Sequence, residues 1–215
     1  MQTRYSRGKE AFWDATAYLG LVNPALLQIL AAFGLSSASG LNATLPLLIV
    51  SLLARMHLIH LSSPYDALQS DVAFYGLLGL AVLEFLVDKV PALDSVAHAV
   101  MLPLSAATGA ILFASQTGAV NVVDPGLMLL LSLLLGGITA GSVHTTRAAV
   151  RPVANVALLG PPISFGEDVS ATVLALTALL APIMLPVALL LLLVLGWRLL
   201  GPLRRGSRFR FPTFP

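Results

Sequence analysis

Residues 40–56 read "GLNATLPLLIVSLLARM", and this stretch decides what kind of fold the chain can adopt. It continues an apolar, small-residue-rich run that starts at Ala25. At about 1.5 Å per helical residue, 25–56 is too long for one straight membrane span of roughly 20 residues. The residues "SSASGLN" (36–42) therefore predict a break in the helix, and Pro46 is a further kink site.

The composition of the chain places that run in a membrane. Of its 215 residues, 57% are hydrophobic and 10% are charged, whereas soluble domains carry roughly 25% charged residues. A soluble fold of this size could not bury so much apolar surface. The chain has no cysteine, which excludes disulfide frameworks and thiolate metal sites. We therefore expect an all-α, polytopic bundle of transmembrane helices.

The apolar runs predict six to eight membrane segments, some of them broken or re-entrant. After the first run, helices are expected over 72–90, 91–115, 127–150, 169–180 and 187–200. Residues 151–168, "RPVANVALLGPPISFGED", predict an irregular connection because they contain three prolines and two glycines. A single transmembrane domain then covers 18–203, with a basic N-terminal tail (1–17) and a basic, aromatic C-terminal tail (204–215).

An internal repeat is suggested by "SASGLNATL" (37–45) and "TAGSVHTTR" (139–147), which align without gaps and place Asn42 opposite His144. The two halves would be 25–115 and 126–203. Transporters built from repeats place interrupted helices at matching positions around their substrate. Small residues are, however, common in all membrane helices because they allow close packing.

The stretch "LEFLVDKVPALD" (83–94) carries charges at the end of an apolar run. Glu84 and Asp88 are four residues apart and share a helix face. The favoured interpretation puts Asp88, Lys89 and Asp94 at the membrane surface around a turn. Glu84 then lies one turn deeper and must face protein, with Asn42 and His144 as expected partners. The alternative is a cluster that handles protons or cations inside the bundle.

A second acidic pair, Glu167 and Asp168, precedes the short predicted helix 169–180. Capping of that helix is the favoured role, since acidic side chains stabilise a helix start. Alternatively, the segment re-enters the membrane and brings both carboxylates to the cavity of Glu84. No metal site is expected, because His144 lacks partners at ligand spacing. The candidate intramembrane polar cluster is Asn42, Glu84, Asp88, His144, Glu167 and Asp168.

The stretch "SGLNATLPLLIVSLLAR", together with "FLVDKVPALDSVAHAV", "HTTRAAVRP" and "GEDV", resembles a widespread bacterial membrane family known only as a domain of unknown function. The resemblance covers roughly residues 25–203. It implies a multi-pass protein of the bacterial inner membrane and no particular activity or cofactor. Basic residues at both ends favour cytoplasmic termini, and hence an even number of crossings.

Enzyme motifs such as a Gly-x-Ser-x-Gly elbow or a His-Glu-x-x-His helix are absent from the sequence, and we expect no catalytic activity. The favoured function is that of an accessory, non-catalytic subunit of a larger membrane complex. The alternative is a transporter or channel for an ion or small polar solute. The C-terminal tail is too short to form a core, so it should pack on other membrane subunits or bind anionic lipid headgroups, rather than nucleic acid. Its contact residues would be Arg204, Arg205, Arg208, Phe209, Arg210 and Phe211.

Overall fold

The computed structural model describes residues 23–88, 91–117, 124–156 and 160–206, which are helical with short connections and contain no strand. The first helices are α1 (Pro24–Leu41), α2 (Leu45–Arg55), α3 (Asp71–Val87) and α4 (Pro91–Thr117). They are followed by α5 (Pro125–Leu131), α6 (Gly137–Val156), α7 (Gly160–Leu180) and α8 (Leu185–Gly206). A π-helical turn (Ser132–Gly136) joins α5 to α6, and 3₁₀ turns cover Tyr65–Gln69 and Pro182–Met184.

The predicted break in the first apolar run is confirmed. Helix α1 ends at Leu41, Asn42 has an extended backbone, and α2 begins at Leu45. Pro46 lies in the first turn of α2 and does not kink it. Proline is tolerated there because the first amide groups of a helix have no partner within the helix.

The burial pattern is that of a membrane protein. Four of the described helical segments are long and apolar enough to cross a membrane, namely Pro24–Leu41, Val100–Thr117, Gly126–Ala149 and Pro161–Leu180. Large apolar side chains such as Leu83 of α3 and Leu193 of α8 are exposed, whereas several serine side chains are buried between the helices. The segments Leu45–Arg55 and Leu185–Leu195 are apolar but shorter. The predicted total of six to eight membrane segments is not confirmed.

Helix α1 is the centre of the bundle and packs against α4, α6 and α7. Its contact with α6 is close at Gly40, where an added Cβ would lie 2.5 Å from both the Ala140 carbonyl oxygen and the Val143 Cβ. Helix α2 packs against α7 and α3. The break between α1 and α2 therefore lies among α3, α6 and α7.

The prediction of an irregular connection over 151–168 is wrong. Helix α6 continues to Val156, and α7 already begins at Gly160. Pro161 and Pro162 fit the first turn of α7, where their missing amide hydrogens cost nothing. Glu167 and Asp168 consequently lie inside α7, and the capping role expected for them is also wrong.

The suggested repeat is not confirmed. Residues 37–45 include the break after α1, whereas 139–147 lie within the continuous helix α6. The two stretches contact each other around Gly40 and Ala140. The small residues that they share serve this close contact between helices.

Candidate functional site at the break between α1 and α2

The break, defined here as residues 42–44, leaves the first amide groups of α2 to be paired by side chains. The Asn42 Oδ1 accepts hydrogen bonds from the amides of Thr44 (3.1 Å) and Leu45 (2.9 Å). The amides of Ala43 and Thr44 donate to the two carboxylate oxygens of Glu84, at 2.9 and 3.1 Å. Asn42 and Glu84 together therefore cap α2.

Glu84 is almost fully buried, with 2% of its surface exposed. Besides the two amides, the Thr44 hydroxyl donates to it at 2.7 Å. A carboxylate is favoured at this position because the start of a helix carries a partial positive charge. The burial of Glu84 was predicted with Asn42 as one expected partner, but its described hydrogen bonds come from Ala43 and Thr44. His144, the other expected partner, contacts the Ser105 hydroxyl through Nδ1 at 3.3 Å.

Arg147, on α6, joins the end of α1 to two other helices. Its Nη1 donates to the Leu41 carbonyl at 2.7 Å, its Nε to Glu167 at 2.8 Å, and its Nη2 to Asp88. The Leu41 carbonyl lies at the negative end of the α1 dipole, where a cation is stabilising. The planar guanidinium suits this role because it presents donors in several fixed directions.

Asp168 completes the arrangement from α7, because its Oδ1 accepts a hydrogen bond from the Asn42 side-chain amide at 3.0 Å. The acidic cluster, as the term is used below, comprises Asn42, Glu84, Asp88, Arg147, Glu167 and Asp168. It gathers side chains from α3, α6 and α7 around the break. All of its carboxylates come from α3 and α7.

The acidic cluster lies toward one end of the candidate spans. Leu41 ends the first span, Arg147 lies close to the end of the Gly126–Ala149 span, and Glu167 lies close to the start of the Pro161–Leu180 span. The cluster is nevertheless enclosed by protein, since the side chains of Asp88 and Arg147 are each only 4% exposed. Glu167 is the most accessible member of the two ion pairs, at 14%.

The structure places five of the six predicted site residues in the acidic cluster. The sixth, His144, lies about one turn before Arg147 on α6 and contacts α4 instead. The surface position predicted for Asp88 is wrong, because the residue is buried against Arg147. The predicted positions of Lys89 and of the Asp94 side chain lie outside the described residues. The side chains proposed as tail contacts also lie outside what the structure describes, although the backbone of 204–206 belongs to α8; they are those of Arg204, Arg205, Arg208, Phe209, Arg210 and Phe211.

Two residues of the site were missed by sequence reasoning, Arg147 and Thr44. Arg147 carried a usable signal, since an arginine inside an apolar segment must find a partner. Four carboxylates were available, and nothing in the spacing says which of them it meets. Thr44 carried no signal, because threonine is common at helix starts and in membrane interiors.

Residues 29–201 match the family model described as Domain of unknown function (DUF4126). The chain belongs to this family. The match confirms the resemblance found in the sequence. No curated protein and no protein of solved structure matches the chain. The family carries no assigned activity, so a function must be inferred from the acidic cluster itself.

The acidic cluster holds more negative than positive groups. Among the side chains that the structure describes, four carboxylates surround one guanidinium. Lys89 and Arg151 are close in sequence to Asp88 and Arg147. Within the described ranges, no three His, Cys, Asp or Glu side chains are arranged to hold a metal ion.

Proposed function

We propose that this DUF4126 protein is a transporter or channel for an ion or small polar solute. The acidic cluster at the break between α1 and α2 binds the cation that is moved or that drives movement. One observation carries the proposal: the carboxylates of Glu84, Asp88 and Asp168 lie buried together beside a broken helix. Membrane helices that only pack together do not require a group of buried carboxylates.

The physical reason is the energy of a buried charge. A buried carboxylate is costly to keep charged, so a site that holds several of them favours the binding of a proton or another cation. Intramembrane acidic residues of this kind commonly mark ion and proton pathways. Broken helices serve the same purpose in transporters, because their free ends present backbone dipoles to substrates and coupling ions.

Flux into liposomes tests the proposal. The full chain is reconstituted with internal dyes sensitive to pH, Na⁺ or K⁺, and gradients of protons, Na⁺ and K⁺ are imposed in turn. We expect faster flux of at least one of these ions than in empty liposomes. Asp168→Asn should slow it, because this removes a carboxylate of the cluster.

Asp71→Asn is the matched control for that experiment. Asp71 also pairs with an arginine, Arg55, at 2.6 Å, but its side chain is 77% exposed and lies outside the cluster. Its loss should leave the flux unchanged. Wild-type flux equal to that of empty liposomes for all three ions would reject the proposal, as would equal effects of the two substitutions.

The accessory-subunit hypothesis is the second candidate. It rests on the C-terminal tail, of which only residues 204–206, at the end of α8, belong to the described residues. Within them it is supported by the outward apolar face of α8, where Leu193 is 71% exposed, a surface suited to lipid or to another membrane subunit. Deletion of 204–215 should weaken co-purification of a complex while membrane insertion persists. Unchanged assembly after the deletion would count against this role.

A further inference from the structure

Glu84 receives all three of its described hydrogen bonds from the break. The donors are the amides of Ala43 and Thr44 and the Thr44 hydroxyl. An ionised carboxylate can accept all three, because it offers only acceptor positions. A protonated carboxyl group carries one O–H, which donates a hydrogen bond. A backbone N–H is itself a donor and cannot accept that hydrogen bond.

Protonation of Glu84 would therefore weaken the hold of α3 on the start of α2. Hydrogen bonds to a charged acceptor are roughly twice as strong as those to a neutral one. Loss of the charge weakens all three bonds, and the new O–H is a donor placed among groups that are themselves donors. Only the Thr44 hydroxyl can adapt, by rotating to accept the proton. Asn42 would still cap α2 through its own oxygen.

The charged side chains near Glu84 form no described hydrogen bond with it, so its protonation depends mainly on the groups of the break. Asp88 lies one turn further along α3, and Arg147 approaches from α6. Arg147 is already bonded to Asp88 and Glu167, so its charge is shared. From α7, Asp168 reaches Glu84 only through Asn42. Helix α2 presents Ala43 and Thr44, which carry no charge.

We propose that Glu84 binds the coupling proton, and that this proton loosens the start of α2 from α3. The step adds one proton from water to a carboxylate oxygen and needs no other reactant. The role of this proton in transport rests on the function proposed above. It makes the proton the coupling ion of that transport. The binding of the proton and the loosening of α2 do not depend on transport.

Amide hydrogen exchange and infrared spectroscopy test this proposal on the full chain in lipid nanodiscs. After correction for the intrinsic effect of pH, we expect the amides of Ala43 and Thr44 to exchange about tenfold faster or more in acidic than in alkaline buffer. A carbonyl band of a buried carboxylic acid should appear over the same pH range. Glu84→Gln should lack the band and exchange quickly at both pH values.

Two further variants keep the test decisive. Asp71→Asn should behave as wild type. Thr44→Val removes only the hydroxyl donor, so protection should be lower in alkaline buffer while the response to pH remains. If Glu84→Gln does not fold, the wild-type titration and Thr44→Val decide the question. Equal protection of Ala43 and Thr44 in both buffers would overturn the proposal, and so would a band that persists in Glu84→Gln.

The outcomes separate this inference from the transport proposal. A pH-dependent release of α2 without ion flux would retain the proton site and reject transport. Flux that depends on Asp168, without any pH response at Ala43 and Thr44, would retain transport and reject Glu84 as the proton site.

Discussion

Replacement of Arg147 by glutamine should be among the most destabilising single changes in this protein. It would remove hydrogen bonds to Asp88, Glu167 and the Leu41 carbonyl at once. Two of these partners are carboxylates, and the Asp88 side chain is 4% exposed. Loss of one partner from a buried ion pair costs about 3–5 kcal/mol, because the other charge remains uncompensated.

The matched control is Arg55→Gln. Arg55 also pairs with an aspartate, Asp71, and the N–O distance of 2.6 Å is that of a well-formed ion pair. The side chains are 29% and 77% exposed, so water replaces the lost partner. Exposed ion pairs of this kind contribute about 0–1 kcal/mol. Any further loss would come from the hydrogen bond of Arg55 Nη1 to the Gln69 carbonyl, at 3.1 Å, and from the contact of Arg55 with the Phe74 ring, at 4.9 Å.

Equilibrium unfolding in mixed detergent micelles measures both changes as free energies of unfolding. A double-mutant cycle then assigns the effect: Asp88→Asn in the Arg147→Gln background should recover part of the loss, because it removes the buried carboxylate that has lost its arginine. The recovery should be smaller with Glu167→Gln, since Glu167 is more exposed. If Arg147→Gln costs no more than Arg55→Gln, the cluster does not depend on this ion pair and the reasoning fails.

Two further substitutions test the packing and the cap of the break. Gly40→Ala should cost about 1–3 kcal/mol of unfolding free energy, because its Cβ would lie 2.5 Å from the Ala140 carbonyl oxygen. Gly76→Ala should be neutral or stabilising by comparison, since nothing lies within 4 Å of the added carbon. Asn42→Asp would keep an oxygen for the cap but replace the donor that lies 3.0 Å from Asp168 by a second carboxylate. It should destabilise the protein at neutral pH, and stability should return in acid as one carboxylate takes up a proton.

The class of the fold and the position of the break could be predicted from the sequence. Both depend on local properties: the apolar composition fixes the membrane setting, and the length of 25–56 requires an interruption. The small and polar residues before Leu45 are the natural place for it. The burial of Glu84 also followed, because it lies one helical turn deeper than Asp88 from the end of the apolar run.

The partners of the charged residues could not be predicted. Asp88 and Arg147 are 59 positions apart in sequence and meet only because the end of α3 lies against α6 at the level of Arg147. Without that partner, a surface position was the less costly choice for Asp88. The start of α7 was missed for a different reason. Proline interrupts a helix interior but is compatible with its first turn, and the sequence pattern does not distinguish the two cases.

The two free ends of the broken helix explain why the chain can keep charges inside a membrane bundle. The end of α1 presents the Leu41 carbonyl to Arg147, and the start of α2 presents the amides of Ala43 and Thr44 to Glu84. Each charge thus meets the helix end of opposite sign. A continuous helix would have used those backbone groups internally and left both side chains without them. The break therefore stabilises the charges of Arg147 and Glu84, and a change in either charge must in turn change the stability of the break.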